Sequence, residues 1–281
     1  MLKVAIPNKG SLSESAIAML KEAGYRQRSD ARDLTLIDNV NEIEFYYLRP
    51  RDIALYVASG ELEVGITGRD LLIDSGADAI ESLALDFGKS TFRFAAPSGT
   101  AYQLADLAGK RIASAYPGLV NDYLSNKSIS ATVVRLDGAV ESSVRLGVAD
   151  VIADVVSTGG TLRQAGLQVF GETILDSEAI VIERPGSTRN GAVDTLIRRL
   201  QGVVIAKQYV LVDYDVEDAF LDQACALTPG IESPTVSALQ KAGWSAVRAM
   251  VKCTDINRIM DDLWKAGARG ILVTDIHACR L

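Results

Sequence analysis

Val148-Ala-Asp-Val-Ile-Ala-Asp-Val-Val-Ser-Thr-Gly-Gly-Thr-Leu162 is an apolar strand running straight into a turn rich in glycine and hydroxyls, with a helical pattern beginning near Leu162. A strand-to-helix junction of this kind is the building unit of open α/β sheets, whose ligands gather at the carboxyl ends of the strands. The turn suits a phosphate: successive backbone N–H groups converge on one anion and a helix N-terminus adds a favourable dipole. Ser157, Thr158 and Thr161 offer hydroxyl donors, while Gly159 and Gly160 let the backbone come close. Asp154 would repel a phosphate, yet at the strand end it can accept hydrogen bonds from ribose hydroxyls. Together these features suggest a pocket for a ribose 5-phosphate. A plain strand-to-helix turn would need the glycines as well.

The same alternation spreads outward from this junction. Leu2–Ile6 reads as a strand, followed by Pro7-Asn-Lys-Gly10 and a helix over Leu12–Ala23, with Ser11 or Ser13 as N-cap. Glu44–Leu48 and Val64–Thr67 are strands on either side of a helix over Arg51–Ser59. A second run opens at Phe92–Ala96. It continues through Arg111–Ala115, a helix over Val120–Asn126, Thr132–Leu136, a helix over Ala139–Leu146 and Val151–Val155. Such an order predicts parallel strands with crossover helices, in two open sheets separated by a cleft, an arrangement like that of periplasmic binding proteins. Residues 1–90 with about 184–206 form the first lobe on this reading, and residues 91–183 the second, the chain crossing back after Ala179-Ile-Val-Ile-Glu-Arg184. Gly186-Ser-Thr-Arg-Asn-Gly191 reads as a surface loop.

From residue 207 the pattern changes. Gln208–Asp213 is a strand, Val216–Ala226 a helix, Ser233–Leu239 and Ala246–Val251 strands, Asp255–Ala266 an amphipathic helix and Gly270–Thr274 a strand. This is the β-α-β-β-α-β order of a ferredoxin-like α+β module, frequent among small-molecule regulatory domains. The predicted fold class is thus α/β in two open-sheet lobes, with a C-terminal ferredoxin-like domain over 207–281.

Composition narrows the function. A chain of 281 residues with 48% hydrophobic content can build two or three cores. A net charge of −7 and a pI near 4.9 argue against a nucleic-acid or acidic-membrane surface, which would need a basic face. Met1-Leu-Lys-Val-Ala-Ile-Pro7 reads as a strand entering a turn rather than as a charged leader, and no apolar run approaches the ~18 residues that span a bilayer. The expectation is a cytoplasmic protein without a membrane or nucleic-acid partner. Cys225, Cys253 and Cys279 lack metal-ligand spacing, so reduced thiols are expected. His277 is the sole histidine, which leaves little basis for a Ser-His-Asp mechanism.

Other polar groups cluster at strand ends. Lys9 follows the first strand, Arg49 and Arg51 sit in Leu48-Arg-Pro-Arg-Asp52, and Arg69 and Asp70 follow Val64-Gly-Ile-Thr-Gly68. Lys9 and the arginines could clamp a diphosphate or triphosphate. Each taken singly also reads as a solvated charge beside a turn. Tyr116 in Tyr116-Pro-Gly-Leu-Val120 offers an aromatic face for a base, or simple packing. No Gly-x-x-x-x-Gly-Lys-Ser/Thr sequence occurs, which disfavours a P-loop NTPase.

Glu141-Ser-Ser-Val-Arg-Leu-Gly-Val-Ala-Asp-Val-Ile-Ala-Asp-Val-Val-Ser-Thr-Gly-Gly-Thr-Leu162 resembles the signature of the ATP phosphoribosyltransferases in their long form: a glutamate, a glycine, then Asp-x-x-Ser-Thr-Gly-x-Thr-Leu. Pro7-Asn-Lys-Gly10, Gly65-Ile-Thr-Gly-Arg-Asp70 and Ser114-Ala-Tyr-Pro117 extend the resemblance over nearly the whole chain. Thr228-Pro-Gly-Ile-Glu-Ser-Pro-Thr235 is similar to the family's inhibitor-binding loop.

The resemblance implies transfer of a 5-phosphoribosyl group from phosphoribosyl pyrophosphate to N1 of the adenine of ATP, releasing pyrophosphate, as the first step of histidine biosynthesis. It implies Mg2+ held mainly by substrate oxygens, and catalytic roles for Asp154 and Lys9. Ser157, Thr158, Gly159, Gly160 and Thr161 would hold the 5-phosphate and Asp154 the ribose hydroxyls. Lys9, Arg49, Asp70 and Tyr116 would bind ATP. Asp215, Ser233 and Thr235 would bind histidine as an allosteric inhibitor, and the chain would form a homo-oligomer, dimer and hexamer. Two readings compete. A cytoplasmic two-lobed ligand sensor would not require the full signature, and salvage phosphoribosyltransferases carry two adjacent acids where Asp154 is followed by Val155 and Val156.

Overall fold

The computed structural model describes residues 1–156, 159–186 and 191–280. They form two compact units, one of residues 1–21 with 25–197, the other of residues 22–24 with those from 198 onward. In the first unit the chain runs β1 (Leu2–Pro7), α1 (Ser11–Glu22), β2 (Thr35–Asp38), β3 (Ile43–Leu48), α2 (Pro50–Ala58), β4 (Val64–Gly68), α3 (Arg69–Ser75) and β5 (Ile80–Ala84). It goes on through β6 (Ser90–Pro97), β7 (Arg111–Ser114), α4 (Pro117–Asn126), β8 (Thr132–Arg135), α5 (Ser142–Arg145), β9 (Val151–Val156), α6 (Gly160–Gln164), β10 (Leu167–Ser177) and β11 (Ala179–Glu183) to α7 (Gly191–Gln208).

Two open sheets result, each with its own core. The first has the order β2-β3-β1-β4-β11-β5 and the second β10-β6-β9-β7-β8. Ala5, Ile53, Val57, Ile180 and Ile182 are buried between α2 and the first sheet. Phe92, Phe94, Ile112, Val120, Val151 and Phe170 fill one face of the second. Ala95, Ile152, Leu162 and Leu167 fill its other face. A two-lobed α/β catalytic region is what the alternation predicted. The strands are not all parallel, however. β1 pairs in parallel with β3 and β4, and β7 with β8 and β9, but β2, β6, β10 and β11 run antiparallel to their neighbours.

β2 forms a hairpin with the next strand, β3, while the other antiparallel members adjoin the crossovers. The chain passes to the second sheet after β5 and returns at Glu178, so that β11 lies between β4 and β5 of the first sheet. Residues 179–183, assigned to the second lobe from sequence, therefore belong to the first: all five are buried, and an apolar run with no polar face reads alike in either sheet. The two crossovers hold each other, the Leu85 N–H donating to the Ala179 carbonyl and the Ala179 N–H to Phe87. The expected helix over 139–146 contracts to α5, because Ala139 and Gly147 both take positive φ at its ends. Strand β10 escaped prediction because Gly171, at φ 68°, and a register shift between Phe170 and Leu175 break its alternation. The segment read as a surface loop, 187–190, lies outside the described residues.

The second unit begins at Arg198, inside the unbroken α7, rather than at 207. Its strands and helices are β12 (Tyr209–Glu217), α8 (Leu221–Leu227), β13 (Thr235–Ala238), β14 (Trp244–Lys252), α9 (Ile256–Lys265) and β15 (Arg269–Asp275). The antiparallel order β13-β14-β12-β15 is that of a ferredoxin-like sheet. Val210, Val212, Tyr214 and Val216 face the core beneath α8 and α9, which carries the strand four residues past the predicted end. Asp213 and Asp215 lie on the opposite face, so their charges do not stop the strand. Among the described residues no helix is long and apolar enough to cross a membrane.

Candidate active site

Asp154 sits near the end of β9, the second lobe's central strand, and is half-buried. Burial pushes its carboxyl up from the ordinary aspartate range and the charge of Glu141 adds to the push; the Val155 N–H and the Arg51 guanidinium oppose it. Glu141, the first residue of the signature, thus shares the electrostatic environment of Asp154. Gly159, at φ 68°, takes the left-handed conformation that an L side chain avoids, and it turns the chain into α6. A Cβ on Gly159 would lie 3.3 Å from Nη1 of Arg163, so a guanidinium lies beside this turn. Sequence reasoning missed Arg163, since one arginine in a short helix carries no pattern. Helix α6 has five residues, so the turn and its charged neighbours, rather than a long helix dipole, shape the site. Thr161 is exposed; Ser157 and Thr158 lie outside the described residues.

Tyr116 enters from the second lobe, just ahead of α4, and packs edge-on against Phe92 with centroids 5.3 Å apart. The Arg51 guanidinium, from the first lobe, lies 4.5 Å from the Tyr116 ring centroid. That face, read from sequence either as one for a base or as simple packing, is covered by a cation. Burial and the neighbouring Asp70 charge raise the Tyr116 phenol well above its usual range, with Asp154 adding a smaller push and Arg51 opposing. Tyr116 stays protonated and serves as a donor. Asp70 is buried in the first turn of α3, where its N–H donates to Ser177 Oγ at 3.0 Å and Ser177 Oγ donates back to Oδ1 at 2.9 Å. Arg69 pairs with Glu81 and Glu178 beside the crossovers, holding that junction rather than a substrate.

Four charged or polar side chains from two lobes are thus brought together: Arg51 and Asp70 from the first, Tyr116 and Asp154 from the second. Lys9 is not in this group. It lines a separate depression of about 250 Å³ with Asn8, Gly10, Ser13, Glu14 and Arg28. Arg49 is exposed at the residue before α2. A further cavity of about 450 Å³ opens beside the crossovers, lined in part by Lys89, Ser90, Thr91, Val156 and Ser177, so it abuts the end of β9.

In the second unit Thr235 lines a hollow of about 230 Å³ with Asp213, Ser237, Ala246 and Arg248 on the outer sheet face. Asp213 accepts from Arg248 Nε at 2.6 Å. Asp215 lies one strand repeat along on the same face, with Gly270 beside its carboxylate, and Ser233 is exposed in the preceding loop. Asp213 was missed from sequence, where the alternation shows only that it faces outward.

A family model described as ATP phosphoribosyltransferase matches residues 49–202, more than half of the chain and the whole of the Asp154 turn. The chain belongs to the ATP phosphoribosyltransferase family. A second model, HisG, C-terminal domain, matches residues 206–278, the ferredoxin-like unit, and marks the long form. The ATP phosphoribosyltransferase of Pseudarthrobacter chlorophenolicus is 61% identical over 284 residues, covering 100% of both chains. That of Streptomyces avermitilis is 58% identical over 285 residues, again covering 100% of both. Among solved structures, an ATP phosphoribosyl transferase (HisG:HisZ) complex from Thermotoga maritima superposes with a TM-score of 0.63 at 28% identity, covering 73% of this chain and 99% of that one. As a member of the ATP phosphoribosyltransferase family the chain is a pentosyl-transferring enzyme of histidine biosynthesis.

Proposed function

We propose that the chain moves the 5-phosphoribosyl group of phosphoribosyl pyrophosphate onto N1 of the adenine of ATP, with the Asp154–Thr161 turn as the ribose 5-phosphate cradle. The observation that carries this reading is a carboxylate near the end of β9, ahead of the left-handed Gly159 that opens α6, in the electrostatic reach of Arg51 from the other lobe. The transfer forms a bond from N1 to C1 of the ribose and breaks the bond from C1 to the pyrophosphate oxygen. Positive charge develops on the ring as pyrophosphate departs. Asp154, with Glu141 nearby, supplies negative charge where that cation forms and accepts the ribose hydroxyls. Positioning of two substrates does the rest.

Ser157, Thr158, Gly159, Gly160 and Thr161 hold the 5-phosphate in this scheme, and Arg163 adds a positive charge beside them. Asp70 acts on ATP through Tyr116, whose hydroxyl it orients, and Arg51 lies over the nucleotide side of the cleft. Lys9 and Arg49 meet the outer phosphates. Among the described residues no group of three or more His, Cys, Asp or Glu is placed to hold a metal. Asp154 and Glu141, which share one electrostatic environment, would be the carboxylates available to a substrate-borne magnesium ion, and that ion would supply positive charge to the leaving pyrophosphate. Asp215, Ser233 and Thr235 bind free histidine, which inhibits, and the chain works in the cytoplasm as dimers and hexamers.

The test is an absorbance assay with ATP, phosphoribosyl pyrophosphate and Mg2+. Formation of phosphoribosyl-ATP is expected; binding of either ligand without product would favour a sensor. A second expectation concerns pH. Asp154 works as a carboxylate and its pKa is raised, so turnover should fall on acidification at a higher pH than an ordinary aspartate would dictate. A profile flat until the protein unfolds would remove Asp154 from the chemistry.

A further inference from the structure

We propose that Asp74 is a positioning residue for the nucleotide half of the site, an inference that rests on the reading of that half given above. Asp74 lies in the last turn of α3 in the first lobe, and its side chain is largely buried. Its two oxygens do different work. Oδ1 accepts the N–H groups of Gly118 at 2.9 Å and Leu119 at 3.3 Å, which open α4 in the second lobe. Oδ2 accepts Nη1 of Arg51 at 2.8 Å. One carboxylate therefore caps a helix of the opposite lobe and holds the guanidinium that covers Tyr116.

The fit at this contact is tight as well as polar. Gly118 faces the backbone of Asp74 so closely that a Cβ there would collide with the Asp74 carbonyl oxygen. Tyr116 is two residues before Gly118, at the N-cap of α4. Any tilt of α4 against α3 thus displaces the Tyr116 ring relative to Arg51 and Asp70. The α4 N-terminus is filled by a carboxylate, which leaves it no free donors for a phosphate and reserves anion binding for the turn after β9.

The account makes a substrate-specific prediction. Asp74→Ala should raise KM for ATP on the order of tenfold, as expected for loss of charge-assisted contacts, while KM for phosphoribosyl pyrophosphate and kcat change less than about threefold. Asp74→Asn should fall between it and the parent, because the amide oxygen still caps α4 while the ion pair with Arg51 is lost. Gly118→Ala should reproduce the Asp74→Ala pattern from the other side of the contact, with every charge intact. In a double-mutant cycle Arg51→Ala should add little once Asp74 is gone. Melting temperatures are measured alongside. Equal rises in both KM values, or unchanged KM for ATP in folded Asp74→Ala and Gly118→Ala proteins, would overturn the proposal. Failure of the parent enzyme to form phosphoribosyl-ATP would instead overturn the reading beneath it.

Discussion

Replacing Asp154 by asparagine is expected to lower kcat by roughly 100-fold or more, the scale at which single groups that stabilise transition-state charge are felt, with the protein still folded. Its melting temperature at neutral pH should hold or rise slightly. The reason lies in the direction of its pKa. Burial raises the folded-state value, so the ionised carboxylate costs stability at neutral pH, and that cost is relieved as pH falls through the raised pKa. Asparagine keeps the shape and removes the charge. A group that weakens the fold where it stands is retained for what it does to a ligand. Kinetics and calorimetry on the same protein check both halves; near-normal turnover, or a large fall in melting temperature with activity lost in proportion, would contradict the assignment.

The second large effect is expected in regulation. Asp215→Asn should raise the histidine concentration for half-inhibition by ten- to 100-fold, the range for losing one charge-assisted bond to an ammonium group, with uninhibited kcat within about twofold of the parent. Asp213 is already engaged by Arg248, whereas Gly270 leaves the Asp215 carboxylate without a side chain over it on the β15 side. Thr235→Val, in the adjacent hollow, should act in the same direction more weakly. Inhibition curves settle the matter: unaltered sensitivity in both variants would move the inhibitor elsewhere. Because α7 runs unbroken from Gly191 to Gln208, these substitutions are preferable to a truncation near Ala206, which would cut its last turn.

The features legible in the sequence are those set by local chemistry. The β9 strand, its glycine turn and the start of α6 stand within two residues of where periodicity and glycine chemistry place them. The ferredoxin-like order is equally plain, because β14 and α9 keep clean periods. The features that escaped depend on long-range pairing. Ile180 and Ile182 carry no mark of which sheet they join, and the direction of β11 follows from the crossover that comes after β10. Asp74 reads as one more acid in a short helix; only the approach of α4 gives it two jobs. Tyr116 was legible as a candidate, but Arg51 over its ring was not, since the two come from different lobes.

The most direct test is a crystal structure of the enzyme soaked with phosphoribosyl pyrophosphate and Mg2+. The account predicts the 5-phosphate held by residues 157–161 and the ribose hydroxyls on Asp154, with pyrophosphate directed toward the first lobe. A ribose bound with its 5-phosphate elsewhere, or with its hydroxyls out of reach of Asp154, would contradict it.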